Sequence, residues 1–195
     1  MLASITPLGE RGRHSPYAIT VAAFLLAGLT AGAGLGAVLG ALGELTLGGR
    51  ALAPRLVALA VALLAAVAID LRPGAAPGPR RQVNERWLDE YRGWVYGAGF
   101  GAQLGIGVST VITSAATYAA LLAALLCGSA GAGALILGTY GAIRGLTPLL
   151  AAQVHTPEQL LLLHTRLARA QRPAAATGYA LLAMATGLAL AGALA

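Results

Sequence analysis

Between Arg92 and Arg144 lie 51 consecutive residues, Gly93–Ile143, without a formal charge, made largely of Ala, Gly, Leu, Ile and Val. Such a run is stable in lipid, where a charge at the bilayer centre costs roughly 2.5–3.5 kcal/mol on insertion scales. Three further charge-free runs repeat the pattern: Ser15–Gly43, Leu56–Ile69 and Pro173–Ala195. The expected fold is therefore all-α, a polytopic transmembrane helix bundle of about five spans, one of them long and broken.

Only 10% of the 195 residues are charged, against about 25% in an average chain. The length suits a single integral membrane domain over 1–195. All thirteen basic residues are arginine and the net charge is +6. In a soluble protein that balance would suggest nucleic acid. Here the arginines sit in short loops beside apolar runs, so membrane orientation explains them and no nucleic-acid partner is expected. Cys127 is the single cysteine, which excludes an internal disulfide, a CxxC pair and a thiolate zinc site within one chain. The apolar run after Arg13 continues to Leu42. That exceeds a signal-peptide core and reads as a retained first helix.

About 20 apolar residues cross a bilayer. The spans expected are 17–43, 52–71, 94–127, 134–152 and 174–195. The second has a charge-free core of only 14 residues, so Arg55 and Arg72 must snorkel to the interfaces. The sequence RPGAAPGPRR at 72–81 cannot be helical. Residues 83–94 read as a short surface helix with Trp87, Tyr91 and Trp94 at headgroup level. Together, 72–93 form a linker and interfacial helix. The stretch 94–127 is too long for one straight crossing; it is tilted, broken or re-entrant. Gly128–Gly133 reads as a turn. Thr156, Pro157 and Gln159 are the N-cap, first turn and capping box of a helix. That helix is expected to lie on the membrane surface over 157–172 and to end at Pro173.

With five spans and a cytoplasmic N-terminal segment (1–16), the inside collects Arg11, Arg13, Arg72, Arg80, Arg81, Arg86, Arg92, Arg166, Arg169 and Arg172. The outside collects Arg50 and Arg55. A second crossing within 94–127 would weaken this bias to seven against five, so a single bent or broken crossing is preferred. The expected location is the cytoplasmic (inner) membrane of a bacterium, with the bilayer as the first partner.

Glycines recur every fourth residue at Gly28, Gly32, Gly36 and Gly40, and again at Gly97, Gly101 and Gly105 and at Gly141 and Gly145. Such ridges let helices approach closely; the other reading is a hinge or a thin helix beside a permeation route. Gln103, Thr110, Thr113, Ser114, Thr117 and Tyr118 form a polar stripe on the third span. Its hydroxyls either bond to backbone carbonyls one turn back or line a solute path at a helix break. Arg144, one turn after Tyr140, either anchors at a surface or attracts an anion. Glu44 and Asp70 read as solvated helix ends. His14, His155 and His164 are not spaced as a metal site, and Cys127 reads as a small buried hydrophobe. No nucleotide loop, zinc-protease motif or serine elbow is present. An enzyme, a cofactor and a metal are not expected.

Residues 93–150 contain a Gly-rich beginning (Gly97 to Gly107), a polar mid-helix break, a Gly-rich turn, then Tyr140-Gly141 and Leu146-Thr147-Pro148. This pattern resembles the second repeat of the cytochrome c biogenesis and thiol–disulfide interchange transmembrane proteins. That group belongs to a lysine-exporter-like superfamily with sulfite-exporter-like proteins and nickel permeases. The resemblance covers under a third of the chain. Thiol-conducting members carry cysteine beside proline at each break and have six spans in two inverted halves. Here the corresponding region is Val108-Ser109-Thr110-Val111, and five spans are counted. The resemblance implies a cysteine-less relative that passes or binds a solute and cannot relay electrons through a dithiol.

The function expected is that of a transporter-like membrane protein that binds or passes a small solute. Gln103, Thr110, Ser114 and Thr117 would line the path and face Tyr140 and Arg144. A small anion would be the solute, because Arg144 is read as the one deep charge. The alternative is a structural or assembly subunit that packs against other membrane subunits. Convergence of the stripe and Arg144 on one water-accessible cavity would favour the first.

Overall fold

The computed structural model describes residues 5–72, 76–78 and 86–195. Parts of the expected linker (73–75 and 79–81) and the start of the expected surface helix (83–85) lie outside the described residues. The described chain is helical: α1 Pro7–Gly12, α2 Tyr17–Leu47, α3 Leu52–Asp70, α4 Trp87–Glu90, α5 Gly93–Ile106, α6 Ala116–Leu126, α7 Ala130–Gly145, a 3-10 turn Thr147–Ala151, and α8 Pro157–Leu194. Four stretches are long and apolar enough to cross a membrane: α2, α3, α7 with its 3-10 extension, and α8. The fifth expected crossing is the discontinuous pair α5–α6.

Glycine dictates how α2 packs. It offers Gly28, Gly32, Gly36, Gly40 and Gly43 along one buried stripe. A Cβ at Gly36 would strike the Gly133 carbonyl of α7. One at Gly32 would strike the Leu137 carbonyl, and one at Gly40 the Ser129 carbonyl. The pairs Leu25–Gly145, Gly28–Gly141 and Gly36–Gly133 make α7 antiparallel to α2. On the other flank, Thr20 meets Gly97, Phe24 meets Gly101 and Gly28 meets Gly105, so α5 runs parallel. Gly43 meets Leu125 at the end of α6. The α5–α6 segment thus progresses along α2 once, in one direction. It is broken, not re-entrant, and the glycine ridges are packing surfaces.

A second layer is formed by α3 and α8, which run antiparallel, with Gly192 beside Leu56 and the Tyr179 hydroxyl donating to the Asp70 carbonyl at 3.4 Å. Leu63 and Ala66 of α3 join this pair to Ala115 and Ala119 at the start of α6.

Three local expectations change. The turn expected at 128–133 is shorter: Ser129 caps α7 and the helix starts at Ala130. Gly131 and Gly133 are helical because Gly133 must pass against Gly36. Pro173 does not end its helix, and the surface helix expected over 157–172 is the first part of the continuous 38-residue α8, about 57 Å long at 1.5 Å per residue. Proline deletes one backbone bond, but the alanines that follow it favour helix. The capping box of Thr156 and Gln159 is present. Finally, α1 forms within the N-terminal segment, capped by Thr6 and opened by Pro7.

Candidate functional site

The helix break opens at Gly107, whose φ of +80° suits glycine. A Cβ there would also lie 3.0 Å from the Tyr140 ring and 3.2 Å from the Thr117 methyl. The chain then runs without helix to Ala115, which leaves the first amides of α6 in need of acceptors. Asp70 supplies one. Its Oδ1 accepts from the Ala115 amide at 2.7 Å and its Oδ2 from the Ser114 hydroxyl at 2.6 Å. At the other end of α6, Arg55 Nε donates to the Leu126 carbonyl at 2.8 Å. One helix, α3, thus places a carboxylate at the positive end of the α6 dipole and a guanidinium at the negative end. Neither is the freely solvated or snorkelling end that the spacing suggests. Glu44 is exposed, as expected.

The hydroxyls of the stripe differ from those on the long helices. Thr30, Thr46, Thr177 and Thr186 each donate to the carbonyl four residues back, at 2.7–3.0 Å. Ser114 and Thr117 do not. Thr117 Oγ1 lies 2.9 Å from the Tyr140 hydroxyl, which also accepts from Arg144 Nη1 at 2.5 Å. The Arg144 guanidinium carbon stands 5.5 Å from the Tyr140 ring centre. Thr117, Tyr140 and Arg144 therefore form one polar chain from the break onto α7.

A cavity of about 960 Å³ lies between the break, the end of α3 and the middle of α8. Asp70, Thr113, Ser114, Tyr140, Gln171 and Tyr179 are its polar lining, with alanines, leucines, Ile143 and Gly178 as the rest. Of the expected site residues, Ser114 and Tyr140 line this cavity; Thr117 and Arg144 do not, and join it only through their hydrogen bonds to the Tyr140 hydroxyl. Gln103 and Thr110 are not part of this lining. The Gln103 backbone carbonyl accepts from Ser109 Oγ inside the break. Thr110 is buried and, among the described residues, its hydroxyl has no hydrogen-bond partner. An unmade bond of this kind costs about 1–3 kcal/mol. Thr110→Val, which keeps the shape and removes the orphan, is expected to leave thermal unfolding in detergent unchanged or to raise it by about 2–4 °C. A clear fall would mean that the hydroxyl has a partner.

A second polar cluster escapes sequence reasoning. Glu10 of α1 is fully buried. Its carboxylate accepts from Arg13 Nη2 at 2.7 Å and from Thr20 Oγ1 of α2 at 2.8 Å. The Tyr96 hydroxyl of α5 lies 2.6 Å from both of its oxygens. Burial alone would lower the Arg13 pKa, but the bonds to Glu10 and Tyr96 more than offset it and the pKa is raised. Beside the cluster is a cavity of about 620 Å³ that His14, Arg92 and Trp94 help to line. The one signal for it in the sequence is Thr6-Pro7, the same helix opening as Thr156-Pro157.

His155 Nδ1 lies 3.1 Å from the Gln153 carbonyl, and His164 is exposed on α8. Cys127 is half-buried and its thiol donates to the Ala124 carbonyl at 3.0 Å. Comparison with family models, curated proteins and solved structures gives no match.

Proposed function

We propose that the chain is a transporter-like integral membrane protein that binds or passes a small solute at the break between α5 and α6. The observation that carries this reading is the cavity of about 960 Å³ in one chain, where Ser114 and Tyr140 meet Asp70. Discontinuous helices expose backbone groups at membrane depth and are tolerated where they line such a space. The same break carries the resemblance to the thiol–disulfide interchange transmembrane proteins. With Val108-Ser109-Thr110-Val111 where the thiol-conducting proteins carry cysteine beside proline, a solute and not electrons is the proposed cargo. The arginine distribution supports a bacterial inner-membrane location with the N-terminus in the cytoplasm.

Thiol labelling tests the reading. In a Cys127→Ser background, Thr113→Cys in membrane vesicles is expected to react with membrane-impermeant methanethiosulfonates. Val61→Cys, exposed in the middle of α3, is expected to stay unlabelled because it faces lipid. Equal protection of both positions would remove the solute path. A structural subunit of a larger complex is the second reading. Residues 164–166 and 168–177 of α8, with Arg166, Arg169 and Arg172, are exposed, which leaves room for another subunit. Protection at Thr113→Cys, with stable co-purifying membrane proteins, would favour it.

A further inference from the structure

We propose that the cavity beside the break takes a small cation, an ammonium group held at the Asp70 carboxylate. This rests on the solute-binding reading and deepens it. In the sequence, Arg144 points to an anion. Its guanidinium, however, is turned onto the Tyr140 hydroxyl and ring and does not line the cavity. Among the described residues, Asp70 is the one formal charge on the cavity wall.

The Asp70 oxygens accept only from neutral donors, the Ser114 hydroxyl and the Ala115 amide. Among the described residues, no arginine or histidine lies within ion-pair distance of it. The start of α6 contributes a partial positive charge of about half a unit. The remaining negative charge faces a cavity with a largely apolar wall, where an unpaired carboxylate is costly. A cation entering the cavity removes that cost.

The rest of the wall suits an ammonium as well. Thr113 and Gln171 carry oxygen acceptors, and Tyr179 adds a phenol and an aromatic face. An anion would find the natural anion position at the α6 N-terminus already filled by Asp70, and would be repelled by its charge.

The test uses the Thr113→Cys, Cys127→Ser protein in membrane vesicles. Two reagents are compared, a trimethylammonium and a sulfonate methanethiosulfonate, each normalised to its rate with a free thiol. The cationic reagent is expected to react about tenfold faster or more, as for a lost charge-assisted contact. Asp70→Asn should bring the ratio close to one, and Asp70→Glu should restore it. Ethylammonium chloride should slow labelling saturably, while sodium acetate at equal ionic strength should not. If Asp70→Asn does not elute as a single species, the ratio and the protection in the Asp70 protein decide. A ratio near or below one there, or protection by acetate alone, overturns the cation assignment and leaves the solute cavity standing. Failure of both reagents to label overturns both proposals.

Discussion

Gly32→Leu is expected to lower the thermal unfolding of the detergent-solubilised protein by roughly 10 °C or to prevent its recovery as a monodisperse species. The Cβ alone would run into the Leu137 carbonyl of α7 and come within 3.3 Å of the Gly105 carbonyl of α5. Both obstacles are backbone, so no side chain can rotate away. Overpacking a core costs about 1–3 kcal/mol where neighbours can adjust, and each kcal/mol shifts a melting point by about 2–4 °C at this size. Here α2 is held on two flanks at once, so the upper end or beyond is expected. Gly34→Leu is the control. It lies on the same helix two residues away, with nothing within 4 Å of the point a Cβ would occupy, and is expected to be silent. Equal behaviour of the two variants would refute backbone-to-backbone packing of α2.

Glu10→Ala should be nearly as damaging. Removing one member of a buried ion pair leaves its partners unpaired, at about 3–5 kcal/mol in full burial. Arg13 keeps 24% of its side-chain exposure, so about 3 kcal/mol is the expected loss, or some 6–12 °C. The damage should be local as well as global. Glu10 links α1 to Thr20 of α2 and Tyr96 of α5, beside the weaker Arg13–Tyr96 bond at 3.3 Å and the Leu8 amide bond to the Val154 carbonyl at 3.1 Å. Its loss should free α1, so trypsin should cut after Arg11 and Arg13 in native detergent solution well before it cuts the wild type. Glu10→Gln keeps an acceptor for Tyr96 and should fall between. A wild-type digestion pattern for Glu10→Ala would show that α1 is held by Ile5 and its apolar neighbours instead.

The architecture is legible in the sequence where the signal is local and repetitive. Charge-free runs locate α2, α3 and the broken third crossing, and the four-residue glycine spacing marks the α2 face that packs. Thr156-Pro157-Gln159 places the start of α8 to the residue. What sequence does not provide is pairing at long range. Asp70 and Ser114 are separated by 44 positions, and Glu10 and Tyr96 by 86; no periodicity connects them. Asp70 therefore reads as a helix end in water, and Glu10 only as part of the cytoplasmic N-terminal segment. Pro173 misleads for a physical reason: a proline weakens a helix without forbidding it. The Gly128–Gly133 turn misleads because glycine signals flexibility and close packing with the same letter, and Gly133 serves the second.

Glycine-on-glycine seating also constrains how the molecule can move. Where backbone rests on backbone at these glycines, few side chains are left to accommodate sliding, so α2, α5 and α7 are expected to move little against one another. The α3–α8 pair touches these helices mainly through α6, by small apolar residues and two charged caps. Any widening of the space at the break is therefore expected to come from a swing of this outer pair, with the Asp70 cap at α6 as its catch.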